Sequence, residues 1–70
     1  MIEAGFYRIS HIYYEVIDKT HFDRWLVDEF LPDGRGQSYS MPEERLKNWH
    51  KHKVSKKEVK QWLIKKALKQ

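Results

Sequence analysis

Ile9, Ile12, Tyr13, Val16 and Ile17 recur three and four positions apart. That spacing stacks side chains on one face of a helix and predicts a helix over 10–17. The preceding run Phe6-Tyr7-Arg8-Ile9 is rich in strand formers and reads as a short extended lead-in. Thr20 is placed to cap a second helix, with Asp23 three residues on in a capping-box-like arrangement. Phe22, Trp25, Leu26 and Phe30 form its apolar stripe, and Pro32-Asp33-Gly34 ends it. Residues 32–40 are the clearest loop, with a tight turn that short strands could flank. Ser40 then caps a third helix, with Pro42 in its first turn, Glu43 closing the capping box, and Leu46 and Trp49 facing inward. Ser55 caps a fourth, with Glu58 as reciprocal partner and Val59, Trp62, Leu63 and Ala67 as its buried stripe. The segments Phe22–Val27 and Val59–Ile64 echo each other, as two amphipathic helices with one apolar spacing would.

Seventy residues allow one small domain. A chain of this size buries only about 60% of its unfolded surface, so the core must come from large side chains. Three Trp, four Tyr and three Phe supply them. Without cysteine there is no disulfide scaffold, cysteine zinc site or thiol nucleophile. The opening Met1-Ile2-Glu3-Ala4-Gly5 lacks a signal peptide's basic and apolar regions, and no segment reaches membrane-spanning length. A soluble intracellular protein without a membrane partner is expected.

Charge changes this picture more than composition does. The chain carries +4 formally, yet residues 1–50 hold six Lys or Arg against nine Asp or Glu, a balance of −3. Residues 51–70 hold eight Lys against Glu58 alone, a balance of +7. Such a basic end suits a polyanion, nucleic acid first. The plainer account is the solvated side of an amphipathic helix.

A helix-turn-helix needs an apolar residue in its turn, another inside the second helix and a third one turn further on. Ile17, Phe22 and Trp25 meet that requirement, and so do Val54, Val59 and Trp62. The stretch after the first set is more particular. Ile17–Leu26 is succeeded by Phe30-Leu31-Pro32, the turn Asp33-Gly34-Arg35-Gly36-Gln37, and then Tyr39-Ser40-Met41-Pro42-Glu43-Glu44-Arg45-Leu46-Lys47-Asn48-Trp49. In that order these parts, within residues 6–50, resemble the small winged helix-turn-helix proteins of the excisionase group, relatives of the MerR-type DNA-binding domain.

The resemblance implies a mainly α fold with a small β-hairpin wing: a winged helix-turn-helix domain over 1–53, with a basic amphipathic helix over 54–70 packed on it or extending from it. It implies a recognition helix near 19–30 presenting Lys19, Thr20, His21 and Arg24 to the major groove, and a wing carrying Arg35 and Gln37. Lys56, Lys57 and Lys60 of the tail would lie along the phosphate backbone and add salt-dependent, sequence-independent affinity. The expected function is sequence-specific binding of double-stranded DNA. The protein would bend an attachment site, self-associate on it and direct a tyrosine or serine integrase, in the cytoplasm of a bacterial or phage-infected cell. A role in transcription is a variant of the same reading.

The residues also admit other roles. Trp25, Trp49 and Trp62 sit on apolar stripes as core anchors more naturally than as base-stacking platforms. Arg24 is spaced to pair with Asp28, and Arg35 suits a soluble turn. His11, His21, His50 and His52 show no ligand spacing on a helix, so no metal is expected. No nucleophile with its base and no phosphate loop stands out, so neither catalysis nor a cofactor is expected. The rival function is a small phage-type protein-binding module or regulator, acting through its acidic half or its lysine-rich helix.

Overall fold

The computed structural model describes residues 2–31 and 36–68. Strands β1 (Gly5–Ile9), β2 (Ile12–His21), β3 (Arg24–Phe30) and β4 (Gly36–Pro42) form an antiparallel meander. A single helical turn, α1 (Glu43–Leu46), and a 3-10 turn at Trp49–His52 come next. They bring β5 (Lys53–Val54) back antiparallel to β1, giving the sheet order β4-β3-β2-β1-β5. Helix α2 (Lys56–Leu68) completes the described chain. The expected boundary between residues 53 and 54 falls inside β5.

The mainly α winged helix-turn-helix expectation is therefore corrected: this is a five-stranded antiparallel sheet with one long helix. Residues 10–17 and 19–30, read as helices, contain a hairpin turn and the strands β2 and β3. The physical reason lies in the layering of β2. Val16 is buried under α1 and the 3-10 turn, while Tyr13, with the opposite strand parity, is buried under α2. Apolar residues on both faces erase the simple alternation that marks a half-buried strand. Register shifts between Val16 and Asp18 and between Lys19 and His21 disturb the period further, because each inserts an extra residue into the strand.

Hairpin chemistry explains the first turn. Ile9 pairs with Ile12 across Ser10-His11, and Ser10 has φ +61°. A positive φ at the first loop residue belongs to the mirror-image turns whose twist matches that of the strands. Ser40, expected to cap a helix, lies in β4, where its Oγ accepts the Arg24 Nε–H at 2.8 Å. Pro42 closes β4, and α1 starts at Glu43 without a side-chain cap. The Ser55 cap is present: its Oγ accepts the Glu58 backbone N–H at 3.1 Å. Val59 is buried and Trp62 and Leu63 half-buried, as the stripe predicts, while the Ala67 side chain lies outside the described set.

On one face the core is Ile2, Tyr7, Val16, Val27 and Leu46, with Tyr14, Trp25, Met41 and Trp49 packed around it. The Trp49 ring lies 4.9 Å from that of Tyr14 and 6.0 Å from that of Tyr7. Tyr7, itself fully buried, donates its hydroxyl to the Glu3 carbonyl at 2.6 Å and so ties down the N-terminal segment. Trp25 and Trp49 are core-flanking side chains, in line with the plainer account of them.

Leu46→Ala should cost about 2–5 kcal/mol through lost burial and the cavity left behind, read as a lower urea midpoint. Ser10→Gly should stabilise the fold by about 0.5 kcal/mol or more, read as a higher midpoint, because glycine reaches a positive φ without a Cβ clash. A lower midpoint for Ser10→Gly would contradict the assigned turn.

Candidate nucleic-acid interface

The expected recognition residues do come together, but on a hairpin. Lys19, Thr20 and His21 end β2, Arg24 begins β3, and His21 pairs with Arg24 across the turn. Two of them are engaged within the protein. Lys19 Nζ lies 3.7 Å from Glu43 Oε1 and 5.9 Å from the centre of the Trp25 ring. Arg24 donates to Ser40 Oγ and, through Nη2, to the Ser40 carbonyl at 2.7 Å. It therefore binds β4 instead of Asp28, and Asp28 accepts the Ser38 hydroxyl at 2.6 Å. Phe22, expected inside a helix core, stands 95% exposed at the hairpin tip. Gln37 lies at the far end of β4, where its side-chain oxygen accepts the Tyr39 hydroxyl. Arg35 lies outside the described residues. No single helix face presents these groups to a groove.

The basic tail is organised differently. Between Lys51 and Lys66 the chain has seven lysines and one carboxylate, Glu58. Lys51, Lys53, Lys56, Lys57, Lys60 and Lys65 are exposed and Lys66 is half-buried. They run from the 3-10 turn, around the sheet edge at β5, and along α2. Lys53 pairs with Glu3, which lowers the Glu3 carboxyl pKa and raises that of Lys53, each chiefly through this hydrogen bond. Among the described residues the other six have no carboxylate within salt-bridge distance.

Glu58 does not offset this charge at the outer surface, because it faces inward. Its Oε2 accepts the Tyr13 hydroxyl at 2.8 Å, and the Tyr13 and Trp62 rings lie 5.0 Å apart. Together these contacts seat α2 on the sheet. Burial first, then the bond to Glu58, raises the Tyr13 pKa above its ordinary 10.0.

Beside this junction lies a groove of about 590 Å³. Its floor is one cross-strand row: Arg8 of β1 opposite Tyr13 of β2, and Tyr13 opposite Phe30 of β3. Trp62 and Lys66 of α2 form one wall, and His11 of the first hairpin turn closes an end. The Arg8 guanidinium carbon is 6.0 Å from the Tyr13 ring centre, and Lys66 Nζ is 5.9 Å from that of Trp62. Aromatic faces and cations thus line the same hollow. Sequence reasoning missed it because its residues come from four separate elements. The signal that could have found it is the hairpin template around Ser10-His11, which sets Arg8 opposite Tyr13.

Among the described residues no three His, Asp or Glu side chains gather to hold a metal ion, and no helix is long and apolar enough to cross a membrane. No known protein family, curated protein or solved structure matches the chain.

The phenol shifts predict an alkaline limit to stability. Tyr14 is also raised, by burial and then by the nearby Glu29 charge. An unfolded tyrosine loses its proton near pH 10, before the folded one does, so the unfolded state is favoured as pH rises. The urea midpoint should therefore fall as pH rises above about 10, and less so in the Tyr13→Phe, Tyr14→Phe double variant. An equally steep fall in that variant would count against the two phenols as its source.

Proposed function

We propose that this protein binds nucleic acid through the lysine belt that passes from the 3-10 turn around β5 and along α2. The observation that carries this reading is a surface of six exposed lysines, of which only Lys53 has a carboxylate partner among the described residues, while the single carboxylate of α2 is held by Tyr13. Helix stability does not account for it. Lys56 and Lys57 stand in the first turn of α2, where the aligned peptide dipoles present positive charge and a cation is unfavourable. Lys65 and Lys66, in the last turn, are placed well for the helix itself. The cost at the start of α2 is offset when a phosphate backbone lies there, since each contact releases condensed counterions.

The recognition helix that was to carry the excisionase reading is replaced by two strands, so this proposal stops at nucleic-acid binding. Lys56, Lys57 and Lys60 keep their expected part as backbone contacts. Lys19 and Arg24 do not, because their side chains are held by Glu43 and Ser40. A second reading, docking to a protein, is favoured by Ile64 and Leu68. These lie one turn apart on α2 at 58% and 80% exposure.

Fluorescence anisotropy with labelled oligonucleotides across a salt series separates the two. Binding should weaken steeply with salt. The triple variant Lys56→Gln, Lys57→Gln, Lys60→Gln should weaken it for every sequence. It should also reduce the log–log salt slope by roughly 2–3, at about 0.7–0.9 for each phosphate no longer neutralised. An unchanged slope would remove the belt as the interface. Loss of affinity for a protein partner in Ile64→Ser, Leu68→Ser, without any oligonucleotide binding by the native chain, would establish the second reading.

A further inference from the structure

We infer that the groove between α2 and the first hairpin holds one unpaired nucleotide, so that the protein prefers single-stranded or unpaired nucleic acid to a closed duplex. This rests on the nucleic-acid reading and adds to it a place for a base.

The groove's chemistry comes first. Over the buried Tyr13, the groove offers the half-buried Phe30 and Trp62, flat π surfaces of the kind on which bases stack with little regard to sequence. The same hollow holds Arg8 and Lys66, and among the described residues neither has a carboxylate partner. Glu58, the nearest acid on α2, is occupied by the Tyr13 hydroxyl. Arg8 and Lys66, two cations around one hollow, repel one another in the free protein, and an anion entering between them removes that repulsion. A purely apolar ligand would leave the cations unanswered, and a bare phosphate would leave the rings unused. A nucleotide supplies both a base face and a phosphate.

Size and position agree with this. About 590 Å³ falls within the roughly 300–1,000 Å³ usual for small-ligand sites. Lys66, on the groove wall, neighbours Lys65 in the belt, so a strand lying along α2 would bring its phosphates past the groove mouth. A base paired in a duplex is stacked and hydrogen-bonded inside the helix and has no free face to offer.

The test compares two single strands of equal length and charge: an oligothymidylate, and an abasic strand with the same phosphodiester backbone. Anisotropy gives the affinities, and the Trp62 indole N–H resonance reports the groove in the same titrations. The base-bearing strand should bind about tenfold tighter, as stacking on an aromatic platform provides, and should shift the Trp62 resonance where the abasic strand does not. Phe30→Leu should bring the affinity ratio towards one while leaving abasic binding unchanged. Should Phe30→Leu lose the native circular dichroism, Phe30→Met, closer in volume but without a π face, takes its place and should also reduce the ratio.

Equal affinity for the two strands, with binding retained, would overturn the base site and leave the lysine belt standing. Binding of neither strand would overturn both. A preference for bases without movement of Trp62 would place the bases elsewhere and refute this groove. So would movement of Trp62 by a polyglutamate peptide but not by oligothymidylate, which would indicate a protein ligand.

Discussion

The seating of α2 depends on what Tyr13 does with both ends of its side chain. Its ring packs against Trp62, and its hydroxyl donates to Glu58 one turn earlier on the same helix. Two contacts about one turn apart fix both the position and the rotation of α2, which a single apolar contact would leave free to roll. The consequence is electrostatic as well as mechanical. By taking the Glu58 carboxylate inward, Tyr13 leaves the solvent side of α2 to lysines, and by holding Trp62 it keeps Lys66 over the groove. An undocked helix would still be basic, but the groove would lose its wall.

The opposite face solves a different problem. A four-residue helix has no independent stability, because a single turn does not repay the cost of nucleation. Here α1 is held by what it buries: Leu46 is fully enclosed, and the Glu43 carboxylate accepts the Trp25 indole N–H at 3.3 Å. The Glu43 backbone N–H also reaches the Asp23 carbonyl at 2.6 Å. These bonds close the start of α1 against the second hairpin and commit Lys19 to the same carboxylate. The polar groups at that end of the sheet are thereby used in building the fold, whereas among the described residues the tail lysines other than Lys53 have no carboxylate within salt-bridge distance.

How much of this could be read from the sequence differs from one end of the chain to the other. From Ser55 onward, cap, stripe and exposed lysines all obey local rules, and local rules decide a helix that has one buried face. The aromatic core was legible only in part: Tyr7 and Tyr13 are buried and Trp25 and Trp49 flank the core, but the other buried side chains are Ile2, Val16, Val27, Leu46 and Val59. The strands were not legible. Val16 and Tyr13 obey the requirements of two different layers, so their spacing imitates a helix, and the extra residues after Val16 and Lys19 conceal what alternation remains. Phe22, Trp25 and Leu26 look like one helical stripe, yet Phe22 is in solvent and Trp25 lies in the core layer. The groove was hidden for a further reason. Arg8, Tyr13 and Phe30 are neighbours only through strand register, and register is a property of the pairing, not of any one segment.

The acidic strands remain to be reconciled with a polyanion partner. Glu15 and Asp28 stand directly opposite each other on β2 and β3, an arrangement of like charges that costs the sheet some stability. Glu29 is already committed, accepting the Tyr14 hydroxyl and, more weakly shared, that of Tyr39. Residues 1–50 carry a balance of −3 and residues 51–70 one of +7, so the molecule carries a permanent charge asymmetry between its sheet-forming part and its tail. In the field of a nucleic acid such an asymmetry acts as a torque: it turns the lysine helix towards the phosphates and the strands away before contact is made. At about 0.15 M salt the field of an exposed charge decays over about 8 Å. By strand register Glu15 and Asp28 share the sheet face of Tyr13 and Phe30 and oppose the proposed contact there, whereas Glu29, beside Tyr14 on the other face, opposes it little. Under the proposed reading, the negative charge that argues against DNA contact by residues 19–30 acts on orientation before contact, while Glu15 and Asp28 keep the phosphates on the α2 side of the groove.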